Sequence, residues 1–275
     1  MRADGTPVAN VHPLRRIMPF LMPGRNEAFV LFEQPIPTAP LLPALARLNA
    51  GREPARRATL FHCVLYALGT AIEQFPRMNR FVAGSRLYDR RGIWLSLSAK
   101  QRLERDAPLF TTKVEFRPGE PFPAFVDRVL GALGEGRSGH ETRPEREVRG
   151  FLRLPPPLLR LTVRLSRRLD AWGLLPASLI ADDPLYASAF VANLGSVGLD
   201  AAYHHLFEYG TIPVFVTMGR VHRAPVVHED GTVGSREVFV LRYTYDERIE
   251  DGFYGARALE KLAATLAAPE SFVAA

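Results

Sequence analysis

Hydrophobic residues recur at helical spacing in some segments of the chain and alternate with polar residues in others. Apolar positions three or four residues apart predict helices, whereas strict alternation predicts half-buried strands. The predicted helices cover residues 39–48, 59–74, 122–133, 158–172 and 253–267. The predicted strands cover residues 28–33, 109–116, 186–192, 212–219 and 237–245, and the alternation over 87–97 predicts a hairpin. We expect the last three strands to form an antiparallel sheet.

The order of these elements favours one fold class. Strands and helices are mixed without a regular strand–helix–strand repeat, which favours an α+β or sandwich-type α/β fold over a doubly wound sheet. Helix 59–74 is apolar on most faces, so we expect it to be a central packing element that Thr59 opens as its N-cap. The polar, glycine-containing stretch 134–149 is interpreted as a loop.

Helix 158–172 carries leucines and Trp172 on one stripe and arginines elsewhere. Two interpretations remain open for it. The first is a surface helix docked on the protein's own core, and the second is a membrane-surface helix or a lid over an acyl chain. The arginine-rich stretch 143–168 lacks interleaved aromatic residues, so we expect a solvated face and no nucleic-acid binding.

Composition limits the function classes further. The hydrophobic fraction of 47% is enough for a full core, and the single cysteine, Cys63, excludes an internal disulfide and a cysteine-rich metal site. A single buried thiol fits a reducing compartment, and no apolar run approaches the ~20 residues of a membrane span, so we expect a cytoplasmic protein, with peripheral membrane contact as an open alternative. The net charge of +6 leaves open an acidic partner such as a phosphate-bearing cofactor or a membrane surface.

The most informative stretch is YDERIEDG, residues 245–252, which gathers four acids around one arginine between a strand and a helix. It resembles the D-H-R-x-x-D-G signature of the dihydrolipoyl acyltransferases of 2-oxo-acid dehydrogenase complexes, which are related to chloramphenicol acetyltransferase. Three further stretches are similar to family landmarks in the same order: residues 59–84, which end in FPRMNRFVAG, residues 188–203, which contain SAFVANLG, and residues 214–221, VFVTMGRV.

This resemblance implies an α/β sandwich of the chloramphenicol acetyltransferase type, a mixed sheet with flanking helices, spanning residues 1–275 as one catalytic domain. It also implies a homotrimer, or a larger cage built from trimers, with active sites between subunits where a coenzyme A thioester meets an acyl acceptor. No covalently bound cofactor and no metal site are expected. Residues 134–185 form a family-atypical insertion. Sequences similar to the family's lipoyl and subunit-binding modules are absent, so we do not expect an ordinary core subunit of a dehydrogenase complex.

Two positions depart from the family pattern. Glu247 replaces the histidine that acts as general base, and Ala192 replaces a hydroxyl residue that donates to the oxyanion. The resemblance assigns Asp251 a structural role, pairing with Arg248 to hold the loop, and places Asp246 and Gly252 in the same loop. Asn193, Gly195 and Ser196 are candidate substrate contacts after the preceding strand.

A replacement base is available nearby in sequence. His204 and His205 follow the Asn193 turn, and either could take the proton with Glu208 or Glu247 as the orienting carboxylate. Adjacent residues of a strand point to opposite faces, so we expect at most one of the two histidines to face the cleft.

Two functions therefore remain open. The first is an acyltransferase that uses coenzyme A or another thioester carrier, with Glu247, His204 or His205 as base. The second is a catalytically silent trimeric scaffold or acyl-binding module, since both polar catalytic positions are altered.

Overall fold

A mixed sheet of seven strands forms the centre of the computed structural model, which describes residues 2–102, 104, 106–138, 146 and 149–273. A smaller sheet of three strands lies beside it. The strands are β1 Gly5–Pro7, β2 Phe29–Pro37, β3 Phe81–Ala83, β4 Arg86–Arg90, β5 Ile93–Lys100, β6 Leu109–Phe116, β7 Ala189–Asn193, β8 Val214–Met218, β9 His222–Val227 and β10 Val233–Asp246. The helices are α1 Pro13–Leu21, α2 Leu41–Leu48, α3 Leu60–Gln74, α4 Phe122–Arg137, α5 Pro156–Ala171, α6 Ala177–Ala181, α7 Gly252–Ala267 and α8 Glu270–Val273.

The large sheet runs in the order β2-β10-β8-β7-β5-β6, with β9 paired to β10. Helices α3, α4 and α7 cover one face, and α3 packs on both α7 and β5. The buried residues of α3, including Cys63, Val64 and Leu65, meet the inward positions of the sheet such as Val191 and Val216. The prediction that this helix is a central packing element that Thr59 opens is confirmed.

The second face of the large sheet is more polar. A row of residues paired across the strands, Ser98, Ala192, Thr217 and Arg242, points to this face, while their neighbours along each strand point into the core. An aromatic cluster around Phe190 and Phe215 lies on the same face, where the segment 201–212 covers it. The sheet therefore holds helices on one side and an extended, partly open polar surface on the other.

The predicted hairpin over 87–97 is wrong. Its two strands both form, but β4 pairs with β1 and β3 in the small sheet, whereas β5 pairs with β6 and β7 in the large one. Arg90 lies at the end of β4, where the chain passes from the small sheet to the large one. Its guanidinium is buried there and donates to the Thr211 carbonyl at 2.7 Å. Alternation identifies strands but does not specify their partners.

The prediction that the last three strands form an antiparallel sheet is only partly correct. β10 is antiparallel to β8, but β7 and β8 are parallel. The 20 residues between β7 and β8 supply the long crossover connection that parallel pairing requires.

Within residues 134–185, α5 confirms the predicted helix. The predicted loop over 134–149 is wrong at its start, because residues 134–137 belong to α4, and most of the rest of it lies outside the described residues. No residue of α5 is buried. The helix is held by polar and backbone contacts, because Asp170 pairs with Arg2 at 2.9 Å and the Ala171 carbonyl contacts Gly84. One residue of its apolar stripe, Leu169, also packs against the buried cluster of Leu175, Ile180 and Tyr186, whereas Leu158, Leu161, Leu165 and Trp172 are exposed. In the described part of the chain, no helix has the length and apolar character needed to cross a membrane.

Candidate active site

The turn after β10 is organised by a buried ion pair between Asp246 and Arg248. Arg248 Nε donates to Asp246 Oδ1 at 2.8 Å, and Nη2 donates to Oδ2 at 2.7 Å. Both side chains are almost fully buried, and Nη1 donates to the carbonyls of Met22 and Pro23 at 3.0 and 2.9 Å. A bidentate pair of this kind fixes both the turn and the segment before β2. The prediction that Asp251 pairs with Arg248 is therefore wrong.

Asp251 has a different task, because it is the N-cap of α7. Its carboxylate accepts a hydrogen bond from the Tyr254 N–H at 2.9 Å, and the helix begins at the next residue, Gly252. Negative charge at this end of a helix is also favoured by the helix dipole. The side chain is exposed and directed to the first turn of α7, which explains why it does not reach Arg248.

Glu250 is buried and is surrounded by arginines. Its Oε2 lies 3.3 Å from Nη1 of Arg77 and 3.3 Å from Nη1 of Arg80, and its Oε1 lies 3.9 Å from Nη2 of Arg15. The Asp251 N–H also donates to Oε1 at 3.2 Å. Arg15 belongs to α1, and Arg77 and Arg80 lie in the segment after α3. Glu250 therefore connects the turn after β10 to both of these elements.

Glu247 is the acid of this turn whose carboxylate has no structural partner among the described residues. Its backbone is fixed, because its N–H donates to the Ala28 carbonyl at 2.8 Å and its carbonyl accepts from Arg15 at 2.6 Å. The side chain is half-buried, and no hydrogen bond or ion pair to its carboxylate forms among the described residues. It lines a cleft of about 560 Å³. The fold therefore presents a carboxylate on a rigid turn with its oxygens unused.

The cleft also contains residues that sequence reasoning missed. Its walls come from the segment 8–12, from α1 and from the turn after α3, and they include His12, Arg15, Met18 and Arg77. His12 is exposed and is the N-cap of α1, where its Nδ1 accepts from the Leu14 N–H at 3.4 Å. The sequence His-Pro before a helical apolar pattern signals such a cap. It carries no signal that residue 12 lies near residue 247.

His204 and His205 are placed elsewhere, on the polar face of the sheet. The ring of His204 stacks on Phe215 with centroids 3.9 Å apart, and the two histidine rings stack at 4.6 Å. Burial lowers the pKa of His204. Neither histidine lines the Glu247 cleft. The rule of alternating strand side chains, from which we expected at most one cleft-facing histidine, does not apply here because this segment is not a strand.

The proposed orienting carboxylate does not contact either ring. Both histidines direct Nδ1 to backbone carbonyls, of His205 and Leu206 respectively. The Glu208 carboxylate instead accepts from the Asn26 backbone and side chain at 2.9 and 3.0 Å. In the described chain, these histidines therefore lack the carboxylate partner that sequence reasoning assigned to them.

The candidate substrate contacts lie in the tight turn after β7. Asn193 Oδ1 accepts from the Ser196 N–H at 3.1 Å, and the Ser196 hydroxyl donates to the Asn193 carbonyl at 2.7 Å. A Cβ atom at Gly195 would lie 2.6 Å from the Gly219 carbonyl oxygen, so only glycine fits there. The turn is thus rigid and packed against the end of β8.

This turn and Glu247 lie at opposite ends of β8. The register pairs Asn193 with Met218 at one end of β8 and Tyr245 with Val214 at the other. At ~3.3 Å per residue, the two ends are at least about 13 Å apart. A single chain therefore does not bring the Glu247 carboxylate to the Asn193 turn.

Ala192 has hydroxyl residues on both sides in the sheet. Ser98 of β5 and Thr217 of β8 are paired with it and point to the same face. The Thr217 hydroxyl is engaged because it donates to the Ala202 carbonyl at 2.6 Å. The Ser98 hydroxyl is half-buried and has no hydrogen-bond partner in the described residues. Sequence reasoning missed Ser98, since only the sheet register places it beside Ala192.

Comparison with known proteins relates part of the chain to a protein family and the whole fold to solved structures. Residues 179–274 match the family model for the catalytic domain of 2-oxoacid dehydrogenases acyltransferase. A search of the curated proteins found no match. The chain is similar to the structure of a probable dihydrolipoamide acetyltransferase from Listeria monocytogenes, with 13% identity, 95% of this chain and 94% of that chain covered, and a TM-score of 0.62.

Two other solved structures agree. The dihydrolipoamide acetyltransferase of Azotobacter vinelandii has 14% identity, covers 97% of this chain and 94% of its own, and gives a TM-score of 0.62. A chloramphenicol acetyltransferase has 14% identity, covers 95% of this chain and 99% of its own, and gives a TM-score of 0.53. Identities this low establish the fold, and the predicted sandwich of a mixed sheet with flanking helices is confirmed. Residues 179–274, which carry the turn after β7 and the acids after β10, match the family model of the 2-oxoacid dehydrogenases acyltransferase catalytic domain, and the chain has the fold of these acetyltransferases over 95–97% of its length.

Proposed function

We propose that this protein transfers an acyl group between a thioester, such as acyl-coenzyme A, and a thiol or hydroxyl acceptor, with Glu247 in the reacting cleft. The observation that carries the proposal is the Glu247 carboxylate. It lines a cleft of about 560 Å³, and the resemblance of residues 246–252 to the family signature puts it where the family has its general base. Within the described chain its oxygens are not used for structure, although every other acid of the turn is.

The chemistry requires a proton acceptor and an oxyanion donor. The acceptor group loses its proton as it attacks the thioester carbonyl, and the tetrahedral intermediate then expels the carrier thiolate, which takes the proton back. A glutamate has an ordinary pKa of ~4.3, so it is a weak base toward a thiol of pKa ~8.5. His12 lines the same cleft and is the second candidate base, although its Nδ1 accepts the capping hydrogen bond from the Leu14 N–H and is free to take a proton only when that bond opens.

Ser98 is the candidate for the oxyanion donor that Ala192 lacks. Its hydroxyl stands one strand away from Ala192, about 4.8 Å across the sheet, on the same face. One such donor contributes ~10²- to 10³-fold to the rate. Ser98 and Ala192 lie beside Thr217, near one end of β8, whereas Glu247 follows Tyr245, which pairs with Val214 at the other end. We therefore propose that a complete site takes Glu247 from one subunit and Ser98 from its neighbour in a homotrimer.

The first test is an acyl-transfer assay with acyl-coenzyme A of several chain lengths and dihydrolipoamide as acceptor. Glu247→Gln should lower kcat/KM by ~10²- to 10⁴-fold. It should leave the free energy of unfolding within ~0.5 kcal/mol of wild type, since the carboxylate has no partner to lose. Glu229→Gln, at an exposed turn, is the matched control and should leave both unchanged. Wild-type activity in Glu247→Gln would exclude the assignment.

Two further variants separate the arrangements. His12→Gln should reduce activity as strongly as Glu247→Gln if the histidine is the base, and only slightly if the glutamate acts alone. Mixing Glu247→Gln and Ser98→Ala subunits after dissociation should restore about a quarter of the sites, since each complete site needs one intact residue from each neighbour. No recovery in reassembled mixed trimers would place both residues in the same subunit's site.

The alternative is a catalytically silent trimeric scaffold that binds an acyl thioester. The specific observation in its favour is Ala192, which removes a hydroxyl from the family's oxyanion position. Saturable binding of coenzyme A without turnover for any acyl chain or acceptor would favour this alternative over the acyltransferase.

A further inference from the structure

Two helices with exposed apolar side chains border the same cavity. Pro19 of α1 and Arg167 and Ala171 of α5 line this cavity of about 160 Å³. We call the exposed faces of α1 and α5, with the flanking residues 151–153 and 172–174, the α1–α5 surface. Its exposed apolar residues are Leu14, Ile17, Phe20, Leu21, Phe151, Leu152, Leu158, Leu161, Val163, Leu165, Trp172 and Leu174.

These apolar side chains are strongly exposed. Trp172 is 69% exposed, Leu161 59% and Leu14 72%. On α5, Leu161, Leu165 and Trp172 follow one another at spacings of four and seven residues, which places them on one stripe. An apolar patch of this extent on a folded surface indicates an interaction site.

The charge beside this stripe is uniformly positive. Arg160, Arg164 and Arg168 form a second stripe at spacings of four residues, next to the leucine stripe. These arginines are exposed, and in the described chain no acid forms an ion pair with them. Residues 149–174 contain six arginines and one acid, Asp170, whose carboxylate is already paired with Arg2.

We propose that the α1–α5 surface binds an anionic lipid bilayer. Leucine, phenylalanine and tryptophan side chains beside a row of arginines have the composition of helices that lie in the membrane interface. The tryptophan suits the boundary between acyl chains and headgroups, and arginines are attracted by acidic headgroups. A second copy of the chain fits less well, since the cores of protein interfaces are depleted in charge whereas this surface carries a row of arginines.

Docking in this way has a consequence for the cleft. Leu14 and Met18 of α1 line the Glu247 cleft, and Arg15 of the same helix is bonded to the Glu247 carbonyl. A bilayer on the α1–α5 surface would lie near the mouth of that cleft, where an apolar acyl chain could pass. This consequence rests on the proposed function, whereas the docking itself does not.

The test is co-sedimentation of the full chain with vesicles. We expect binding to vesicles of phosphatidylcholine with 30% phosphatidylglycerol at about 0.1 M salt, weak binding to phosphatidylcholine alone, and a decrease as salt rises. Arg160→Gln/Arg164→Gln/Arg168→Gln should lower the partition coefficient by ~10²-fold, about fivefold for each arginine removed. Leu161→Gln/Leu165→Gln should abolish the binding that remains at high salt.

A matched control keeps the result specific to this surface. Val227→Gln/Val233→Gln/Arg236→Gln makes the same kind of change on the exposed β9–β10 hairpin and should bind vesicles as wild type does. In a Trp94→Phe background, the emission of Trp172, the remaining tryptophan, should shift to shorter wavelength on anionic vesicles. Acyl-transfer activity is not needed for either readout, so failure here is distinguishable from failure of the proposed function.

Three outcomes would overturn the proposal. The first is no binding to anionic vesicles by folded wild-type protein. The second is an equal loss of binding in the hairpin control, which would indicate non-specific attraction by net charge. The third is dissociation of the oligomer by Leu161→Gln/Leu165→Gln in sedimentation velocity without any vesicle binding by wild type, which would assign the surface to a contact between copies of the chain.

Discussion

Acid should destabilise this protein through His62, a histidine held neutral inside the central helix. His62 is 3% exposed, and its Nδ1 lies 3.1 Å from the Thr59 N–H and 2.9 Å from the Thr59 hydroxyl. Because the N–H must donate, Nδ1 is the acceptor and Nε2 carries the proton. Nε2 is buried without a partner in the described chain. Burial lowers the pKa of His62 to about 4.

The sign and size of the effect follow from proton uptake. An exposed histidine of the unfolded chain has a pKa of ~6.5, so above this pH both states are neutral and no penalty exists. As the pH falls through 6.5, the unfolded chain binds a proton that the folded chain refuses until about pH 4. The free energy of unfolding therefore decreases over this window, by about 2 kcal/mol between pH 7 and pH 5.

Urea unfolding at pH 7 and pH 5 measures this loss. His62→Gln keeps an acceptor three residues after the Thr59 N-cap, as in a capping box, but does not titrate. Wild type should lose about 2 kcal/mol more than His62→Gln between the two pH values. His228→Gln, at an exposed turn, should retain the full wild-type pH dependence. Equal pH dependence in wild type and His62→Gln would refute the reasoning, since all other titrating groups are shared.

Three structural contacts give further predictions. Asp246→Asn leaves the Arg248 guanidinium buried without its countercharge and should cost about 3–5 kcal/mol in urea unfolding, whereas adding Arg248→Met should regain part of it; a loss below 1 kcal/mol would contradict this. Gly84→Ala combines a φ of +56° with a Cβ 2.2 Å from the Ala171 carbonyl oxygen, so hydrogen exchange in α5 should accelerate, and unchanged exchange would contradict the contact. Asp251→Ala removes the N-cap of α7 and should cost ~1 kcal/mol, while Asp251→Asn should be nearly neutral; equal costs would exclude capping.

Periodicity predicted the existence of most elements, because the sequence itself carries the burial pattern of each helix and strand. Helix 59–74 and strand 109–116 agree with α3 and β6 to within a residue. The errors concern partners. Residues 87–97 contain two true strands that belong to different sheets, and β7 runs parallel to β8 where antiparallel pairing was expected. These choices depend on long connections and on buried groups such as Arg90, which local patterning does not encode.

The candidate site shows the same limit. The resemblance of residues 246–252 to the family signature correctly indicated an organised loop but assigned Arg248 to the wrong aspartate, Asp251 instead of Asp246. Two carboxylates at short spacing from one arginine are equivalent in sequence, and only the direction of the chain at the end of β10 decides between them. His12 lies 235 residues before Glu247 and Ser98 lies on another strand, so both required the folded chain.

The concentration of acid after β10 in a chain of net charge +6 follows from what each carboxylate contacts. Asp246 neutralises the buried Arg248, Glu250 lies among Arg15, Arg77 and Arg80, and Asp251 caps α7. Each of these three acids is balanced by a cation or by a helix end, so none is available for proton transfer without a cost in stability. Glu247 is held on the same rigid turn through its backbone alone, and its carboxylate faces the cleft with both oxygens unengaged in the described chain. The structural acids thus fix the position of the one acid of the turn whose side chain the described structure leaves unengaged, and the proposed proton transfer would pass through residue 247 or through a group that residue 247 orients.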